Sequence, residues 1–353
     1  MNRTGAGVRD GARRRAFAMI QAGHTMKAIA MDRYGSPDVL ELKDLDEPVV
    51  KNDQALVRVR ATSVNAADWH FMRGEPSIAR LDFGMRKPKH RVLGCDLAGQ
   101  VEAVGSNVTT LQPGDDVFGS PFGRGLGAFA ERASVSADLL EPKPANLTFE
   151  QAAAVPLAAL TALQGLRDHG RIEPGQRVLI IGASGGVGTF AVQIAKSFGA
   201  EVTGVCSTKN LSMVHSLGAD HVSDYTKEDF TQDHGRYDLI FQLGGTQSPL
   251  DCRRALTATG TLILSSGDSE GRVIGPLGRV VKALLLSPFV SQRLVSFTRK
   301  PNKEDLRVLK ELVEAGTVSP VLDRTYPLAE VPDAIRYLEE GRARGKVVVT
   351  VEG

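Results

Sequence analysis

Residues 182–188 read GASGGVG, between strand-like RVLII (177–181) and helix-like TFAVQIAKSFGA (189–200). A glycine turn joining a buried strand to a helix brings the first free amides of that helix to an anion. Placed on Gly182, the stretch fails the dinucleotide fingerprint G-x-G-x-x-G, because Ser184 takes the third position. Placed on Ala183 it reads A-S-G-G-V-G, with Ala183 replacing the first glycine. Gly185 then lets the backbone approach a pyrophosphate, and Gly188 lets the helix over 188–198 pack closely on the sheet. The alternative is a structural glycine turn with no ligand.

The next strand chooses the cofactor. A site selective for NAD carries an acid about 20 residues beyond the fingerprint, bonded to the ribose 2′-hydroxyl. Here the strand ends VCSTKN (205–210), with no acid at its tip. Ser207, Thr208 and Lys209 offer hydroxyls and a cation, which suit a 2′-phosphate. Tyr225, at the end of HVSDY, is placed to cover that phosphate or the adenine. The expected cofactor is NADPH; a merely solvated Lys209 is the competing reading.

Working outward, strands and helices alternate from about 151 to 265, which argues for a parallel sheet covered on both faces. FEQAAAVPLAALTALQGLRDHG (149–170) reads as helix. From 26 to about 145 the chain is a succession of short strand-like runs between Gly, Pro and Asn breaks. The terminal GKVVVTVE (345–352) is strand-like and needs partners, which the first module has. The expectation is an α/β protein in which 26–152 and 297–353 form a β-rich barrel. A doubly wound nucleotide-binding unit, 153–296, is inserted between them.

The 353 residues are 42% hydrophobic with net charge +2, so nothing points to nucleic acid. Residues 1–25 are the exception, with five arginines against one acid, Asp10. This head reads as a disordered tail or the product of an early start codon, with Met26 opening the first strand. The other reading is an address or membrane-surface arm. Cys95, Cys206 and Cys252 form no C-x-x-C pair, so a reducing, cytoplasmic compartment is expected. No apolar run reaches 18 residues, so no stable membrane insertion is expected. The apolar, basic stretch 270–302 is expected to wall a substrate pocket, to pack at a dimer interface or to be a plain core insertion.

GASGGVGTFAVQIAKSFGAEVTGVCSTKN, together with MKAIAMDRYGSPDVLEL, VRVRATSVNAADW, LGCDLAGQVEAVGSNVTTLQPGDDVFG, LAALTALQGL, GTLILSSG and GRARGKVVVTV, resembles the medium-chain dehydrogenase/reductase superfamily. The likeness is closest to its zinc-free quinone oxidoreductase branch and spans 26–353. It implies a GroES-like barrel, a Rossmann domain, a substrate cleft between them and a homodimer. By position, Ser184, Gly186 and Val187 touch the cofactor phosphates, and Ser207, Lys209 and Tyr225 form the 2′-phosphate pocket. Thr161 and Asn65 lie beside the nicotinamide, Ser265, Ser266 and Gly267 close its pocket, and Arg344 and Lys346 bring the tail over the cofactor.

Zinc members of that superfamily have a cysteine where this chain has Asn65, and a histidine where it has Cys95. The resemblance therefore implies no metal, and alcohol oxidation loses the Lewis acid that would hold an alkoxide. Hydride transfer from NADPH to an electron-poor acceptor, a quinone or an α,β-unsaturated carbonyl, is the favoured chemistry. Asn65 and Asp68 are the catalytic candidates, with Asp68 at i, i+3 from Asn65; a structural cap is the other reading of Asp68. The alternatives to a reductase are alcohol–aldehyde interconversion, or an NADPH-binding sensor or scaffold with little turnover.

Overall fold

The structure is a computed structural model and describes residues 24–77, 80–265 and 291–352. Among the described residues there are fifteen strands: β1 Thr25–Ala30, β2 Glu41–Asp46, β3 Gln54–Val64, β4 Asp96–Val104, β5 Asp116–Gly119, β6 Arg132–Ser136, β7 Leu140–Pro142, β8 Arg177–Ile181, β9 Glu201–Cys206, β10 His221–Asp224, β11 Tyr237–Gln242, β12 Leu256–Ser265, β13 Arg293–Phe297, β14 Leu322–Pro327 and β15 Lys346–Thr350. They form two large sheets and a β1–β2 ribbon.

Both ends of the chain build the first large sheet, in the order β14-β15-β3-β4-β5-β7, with β6 also pairing β3. The last strand, β15, runs antiparallel to β3, with Val347 opposite Val64 and Thr350 opposite Ala61. Side chains alternate across a strand, and in β15 that alternation divides two cores. Val347 and Val349 join the barrel core with Val57, Val59 and Leu97. Val348 joins the core that holds Phe190 and Phe241 of the inserted unit. Helix Val331–Glu339 buries Val331, Ala334 and Ile335 against the barrel, spaced for one helical face.

The inserted sheet is parallel throughout, in the order β10-β9-β8-β11-β12-β13. The order reverses between β8 and β11, and ligands bind at the carboxyl ends of strands at such a switch point. RVLII is β8, and the helix after the glycine turn runs Gly186–Ser197, beginning two residues before its expected start.

Two sequence expectations differ from the structure. The helix expected over 149–170 is broken. Thr148 caps Phe149–Ala153 by accepting from Gln151 N–H at 3.3 Å, and Pro156 opens a second helix, Pro156–Gln164. Proline fits a first helical turn and not a helix interior, which places the break. A wider turn, Gly165–Gly170, follows. The other difference lies in 270–302, where RLVSF is β13, an edge strand paired with β12. Residues 270–290 of that stretch, the four residues before it and the basic head up to residue 23 lie outside the described residues.

Candidate functional site

Residues of the barrel and of the inserted unit together line a cleft of about 1480 Å³. At one end lies the glycine turn. Gly182 has φ +85°, in the left-handed region that glycine tolerates, and its N–H and that of Ala183 both donate to Val205 O. The tight turn thus belongs to Gly182, one residue before the fingerprint placed on Ala183. Ala183 is fully buried beside Gly204 and does not line the cleft.

Gly185 is the extended N-cap of Gly186–Ser197, and no side chain caps that helix. Ser184, Gly185, Gly186, Val187 and Gly188 line the cleft, so free amides and the positive end of the helix face it. A Cβ on Gly188 would lie 2.1 Å from Gly182 O, so this glycine is a packing requirement. A Cβ on Gly185 would meet only Gly182 O, at 3.4 Å, so the space before it is open.

Beside this cradle, Ser207, Thr208, Lys209 and Tyr225 line the cleft, Lys209 and Tyr225 exposed. Thr208 Oγ1 donates to Asp224 Oδ2, so its proton is turned from the cleft. Asp224 ends β10 opposite Cys206, and an acid therefore does stand near the tip of β9, supplied by the neighbouring strand. The Thr208 and Thr226 hydroxyls hold its carboxyl down at about 2. Ser207 and Lys209 remain as donors. Asn210, at the end of VCSTKN, has a role that the sequence pattern does not show. Its Nδ2 donates to Ser184 Oγ at 3.0 Å and Ser207 Oγ at 3.3 Å, stitching the cradle to the β9 tip, and its Oδ1 is buried with no partner among the described residues.

Along the middle, Thr161 lines the cleft, with its hydroxyl donating to Leu157 O at 2.7 Å in its own helix. Ser265 ends β12 opposite Phe297. Ser266 and Gly267 lie outside the described residues. The cleft wall here is Leu243–Gln247, the turn after β11. From the tail, Arg342 and Lys346 line the cleft, whereas Arg344 is exposed outside it and its N–H donates to Asp323.

Where β3 meets helix Ala66–Arg73, Asn65 is the hub of a buried polar network. Its Nδ2 donates to Asp96 Oδ2 at 2.9 Å and to Ser63 O at 3.2 Å. Its Oδ1 accepts from Lys346 Nζ, which stands 3.6 Å from Asp96 Oδ2. Asp96 also accepts from Ser63 Oγ and from Leu157 N–H, both at 2.8 Å. Burial pushes the Lys346 ammonium below its usual range, against the pull of Asp96.

Asp68 is fully buried and does not line the cleft. Its carboxylate accepts from Asn65 N–H at 2.9 Å and Gly94 N–H at 3.1 Å, which is a cap and a loop tie. Burial raises its carboxyl to about 6, against the Cys95 thiol's hydrogen bond. Cys95 is fully buried in the barrel core, and its thiol is pushed well above the usual range by burial and then by Asp68. Among the described residues no group of three or more His, Cys, Asp or Glu could hold a metal ion.

The far end of the cleft is aromatic. Phe71 packs edge-on against Phe83 at 4.3 Å and Phe122 at 5.7 Å, and Trp69 stacks on His70; all line the cleft. Arg299 completes this wall. An anion cradle at one end, a polar hub between and an apolar slot at the other suit a dinucleotide laid toward an apolar acceptor.

Residues 51–145 match the alcohol dehydrogenase GroES-like domain, and 217–349 match the zinc-binding dehydrogenase domain. The chain is 36% identical over 335 residues to 2-methylene-furan-3-one reductase of Solanum lycopersicum, covering 92% of this chain and 79% of that protein. It is 35% identical to the mitochondrial NAD(P)H oxidoreductase RTN4IP1 of Mus musculus, covering 92% and 89%. The chain belongs to the medium-chain dehydrogenases/reductases, in the quinone oxidoreductase-like branch. Among solved members of that branch, quinone oxidoreductase from Coxiella burnetii superposes with TM-score 0.80 at 31% identity, covering 93% of this chain and all of that one. The Escherichia coli quinone oxidoreductase complexed with NADPH gives TM-score 0.78 at 26% identity, covering 92% and 99%. The GroES-like barrel and inserted Rossmann domain are the architecture expected from sequence.

Proposed function

We propose that this protein is a zinc-independent, NADPH-dependent reductase of quinones or α,β-unsaturated carbonyls. The observation that carries this is one continuous cleft running from the uncapped start of Gly186–Ser197, past Asn65 and Lys346, to the aromatic wall of Phe71, Phe83 and Phe122. Relatives named for an NADPH-dependent alkenal/one oxidoreductase and a chloroplast envelope quinone oxidoreductase support the acceptor class.

In this reading the amides of 186–188 and Ser184 hold the diphosphate, and Ser207 and Lys209 take the 2′-phosphate. Tyr225 covers the adenosine end. NADPH, when bound, supplies the hydride. Asn65, fixed by Asp96 and Lys346, borders the nicotinamide end and sets its orientation. The aromatic wall holds a flat acceptor and excludes water. Asp68 acts by holding the Asn65 backbone and the Gly94 loop. The proposed assembly is a homodimer in a reducing compartment such as the cytoplasm, suited by three buried free cysteines; light scattering and fractionation test these points. No helix among the described residues is long and apolar enough to cross a membrane.

The test is nicotinamide absorbance with NADPH or NADH against a panel of quinones and enones, before and after chelator treatment. Metal-independent oxidation of NADPH, faster than of NADH, is expected. Tight NADPH binding with no oxidation by any acceptor would favour the second reading, a nucleotide-binding sensor. That reading draws on Asp68 being buried away from the cleft, which removes the carboxyl acid candidate next to Asn65.

A further inference from the structure

Arg299 lies two residues beyond β13, in the cleft wall, and is only 7% exposed. One nitrogen is placed: Nη2 donates to Ser120 Oγ at 3.2 Å and Phe122 O at 3.1 Å. The guanidinium carbon sits 5.1 Å from the centre of the Phe122 ring. The other two nitrogens, Nε and Nη1, are buried and have no hydrogen-bond partner among the described residues. Arg299 makes no ion pair with any described residue.

A buried guanidinium without an ion pair is costly, and orphaned buried donors are rare in folded proteins. Packing does not account for this one: an apolar side chain would line an aromatic slot more cheaply. The position is informative. Ser120 Oγ, which accepts from Arg299, donates in turn to Cys95 O at 2.6 Å. The next residue, Asp96, holds Asn65. Arg299 thus stands where the aromatic slot meets the polar hub, attracted by Asp96 without an ion pair to it and with two donors unspent.

We propose that Arg299 is the oxyanion-binding residue of the cleft, taking the oxygen of the hydride acceptor through Nε and Nη1. The inference rests on the reductase reading for the identity of that oxygen. When hydride adds to the far carbon of a C=C–C=O system, a C–H bond forms and the C=C π pair moves inward. The C=O π pair then ends on oxygen, as an enolate or a quinol anion, and solvent supplies the proton. Two electrons pass from NADPH to the acceptor. A fixed cation at that oxygen stabilises the charge as it develops, in a slot that excludes water. The same residue selects acceptors that carry an oxygen over apolar molecules of the same shape.

The probe is 4-nitrophenolate, an aromatic oxyanion with no hydride to accept at a conjugated carbonyl. It is titrated spectroscopically into the protein loaded with NADP⁺, with 4-nitroanisole as the neutral counterpart. Wild type is expected to bind the phenolate, R299M to lose about tenfold or more of that affinity, and R299K to recover part of it. Affinity for 4-nitroanisole and for NADPH should stay within about twofold. With a reducible acceptor, R299K should lower kcat more than it changes KM. Equal phenolate binding by wild type, R299M and R299K, or no binding by wild type, overturns the proposal. Arg299-dependent phenolate binding with no NADPH oxidation by any acceptor leaves the anion site standing and sinks the reductase reading. Should R299M fail to melt cooperatively, the R299K comparison alone decides by the same criteria.

Discussion

Lys346 Nζ donates to Asn65 Oδ1, joining the last strand of the chain to the end of its first long one. Lys346 is only 3% exposed, and its stem lies against the phosphate cradle: a Cβ on Gly186 would come 3.0 Å from Lys346 Cδ. One residue therefore touches the cradle, the hub and the buried Asp96. Replacing it by Met keeps the stem and leaves Asp96 as a buried charge without its cation. K346M should cost about 3–5 kcal/mol in urea unfolding. It should also depress kcat, because the Asn65 amide loses the bond that fixes its orientation. A variant of wild-type stability would show that the pair contributes nothing.

Two glycines of the turn should fail in different ways. G188A places a methyl 2.1 Å from Gly182 O, against backbone that cannot yield cheaply. It should destabilise the protein by about 3 kcal/mol or more, seen in thermal or urea unfolding. G185A meets only Gly182 O at 3.4 Å and should fold normally. Its methyl stands in the open space before the helix amides, so NADPH affinity should fall while the melting temperature holds. Loss of stability in both, or in neither, would contradict this division of labour.

Lys209 is exposed at the tip of β9 with no described ion pair. K209A should weaken NADPH about tenfold to a hundredfold, the worth of a charge-assisted hydrogen bond, and change NADH by less than about twofold. Fluorescence titration of both cofactors measures this. Equal losses would remove Lys209 from the 2′-phosphate site. D224N, next to it, should change cofactor preference little, because the Asp224 carboxylate is already engaged by Thr208 and Thr226.

Asp68 gives a pH dependence of stability. Its carboxyl lies at about 6 in the folded chain, above the ordinary 3.8, because of burial. The folded state therefore keeps this proton over a range in which the unfolded chain has released it. The contribution of the protonated group is full below the ordinary value and is lost as pH rises through about 6. Urea midpoints of wild type should fall across that interval by more than those of D68N, which has no group to titrate there. Parallel pH profiles of the two would show that Asp68 is not the group responsible.

Legibility in the sequence followed the range of the interactions. RVLII, the glycine turn and the following helix are local patterns, and they formed within two residues of where the sequence puts them. The break at Pro156 was visible as a residue type, but the alanine and leucine periodicity on either side masked it. β13 was hidden because an edge strand buries only Leu294 and Phe297, too few to show an alternation. Site residues divided the same way. Ser184, Gly185, Ser207 and Lys209 follow from spacing along one strand–turn–helix unit. Asp224 could not be assigned, since it reaches the β9 tip through strand order. Asp96 and Arg299 matter through contacts with Asn65 and Ser120, far away in sequence. The signal available for Asn210 was its place at the end of VCSTKN, one residue past the cation.

The position of β15 between β14 and β3 also bears on how the protein is made. The inserted parallel sheet is complete once residue 297 has left the ribosome, and it can fold while the chain is still attached. The barrel cannot, because the end of β3, Ala61–Val64, waits with one edge unpaired for β15, which comes far later in the chain. Since Lys346 opens β15, the polar hub around Asn65 is assembled only once that strand has docked. A chain truncated by ten residues would carry a finished nucleotide fold beside an exposed apolar edge, the kind of species that aggregates or is degraded.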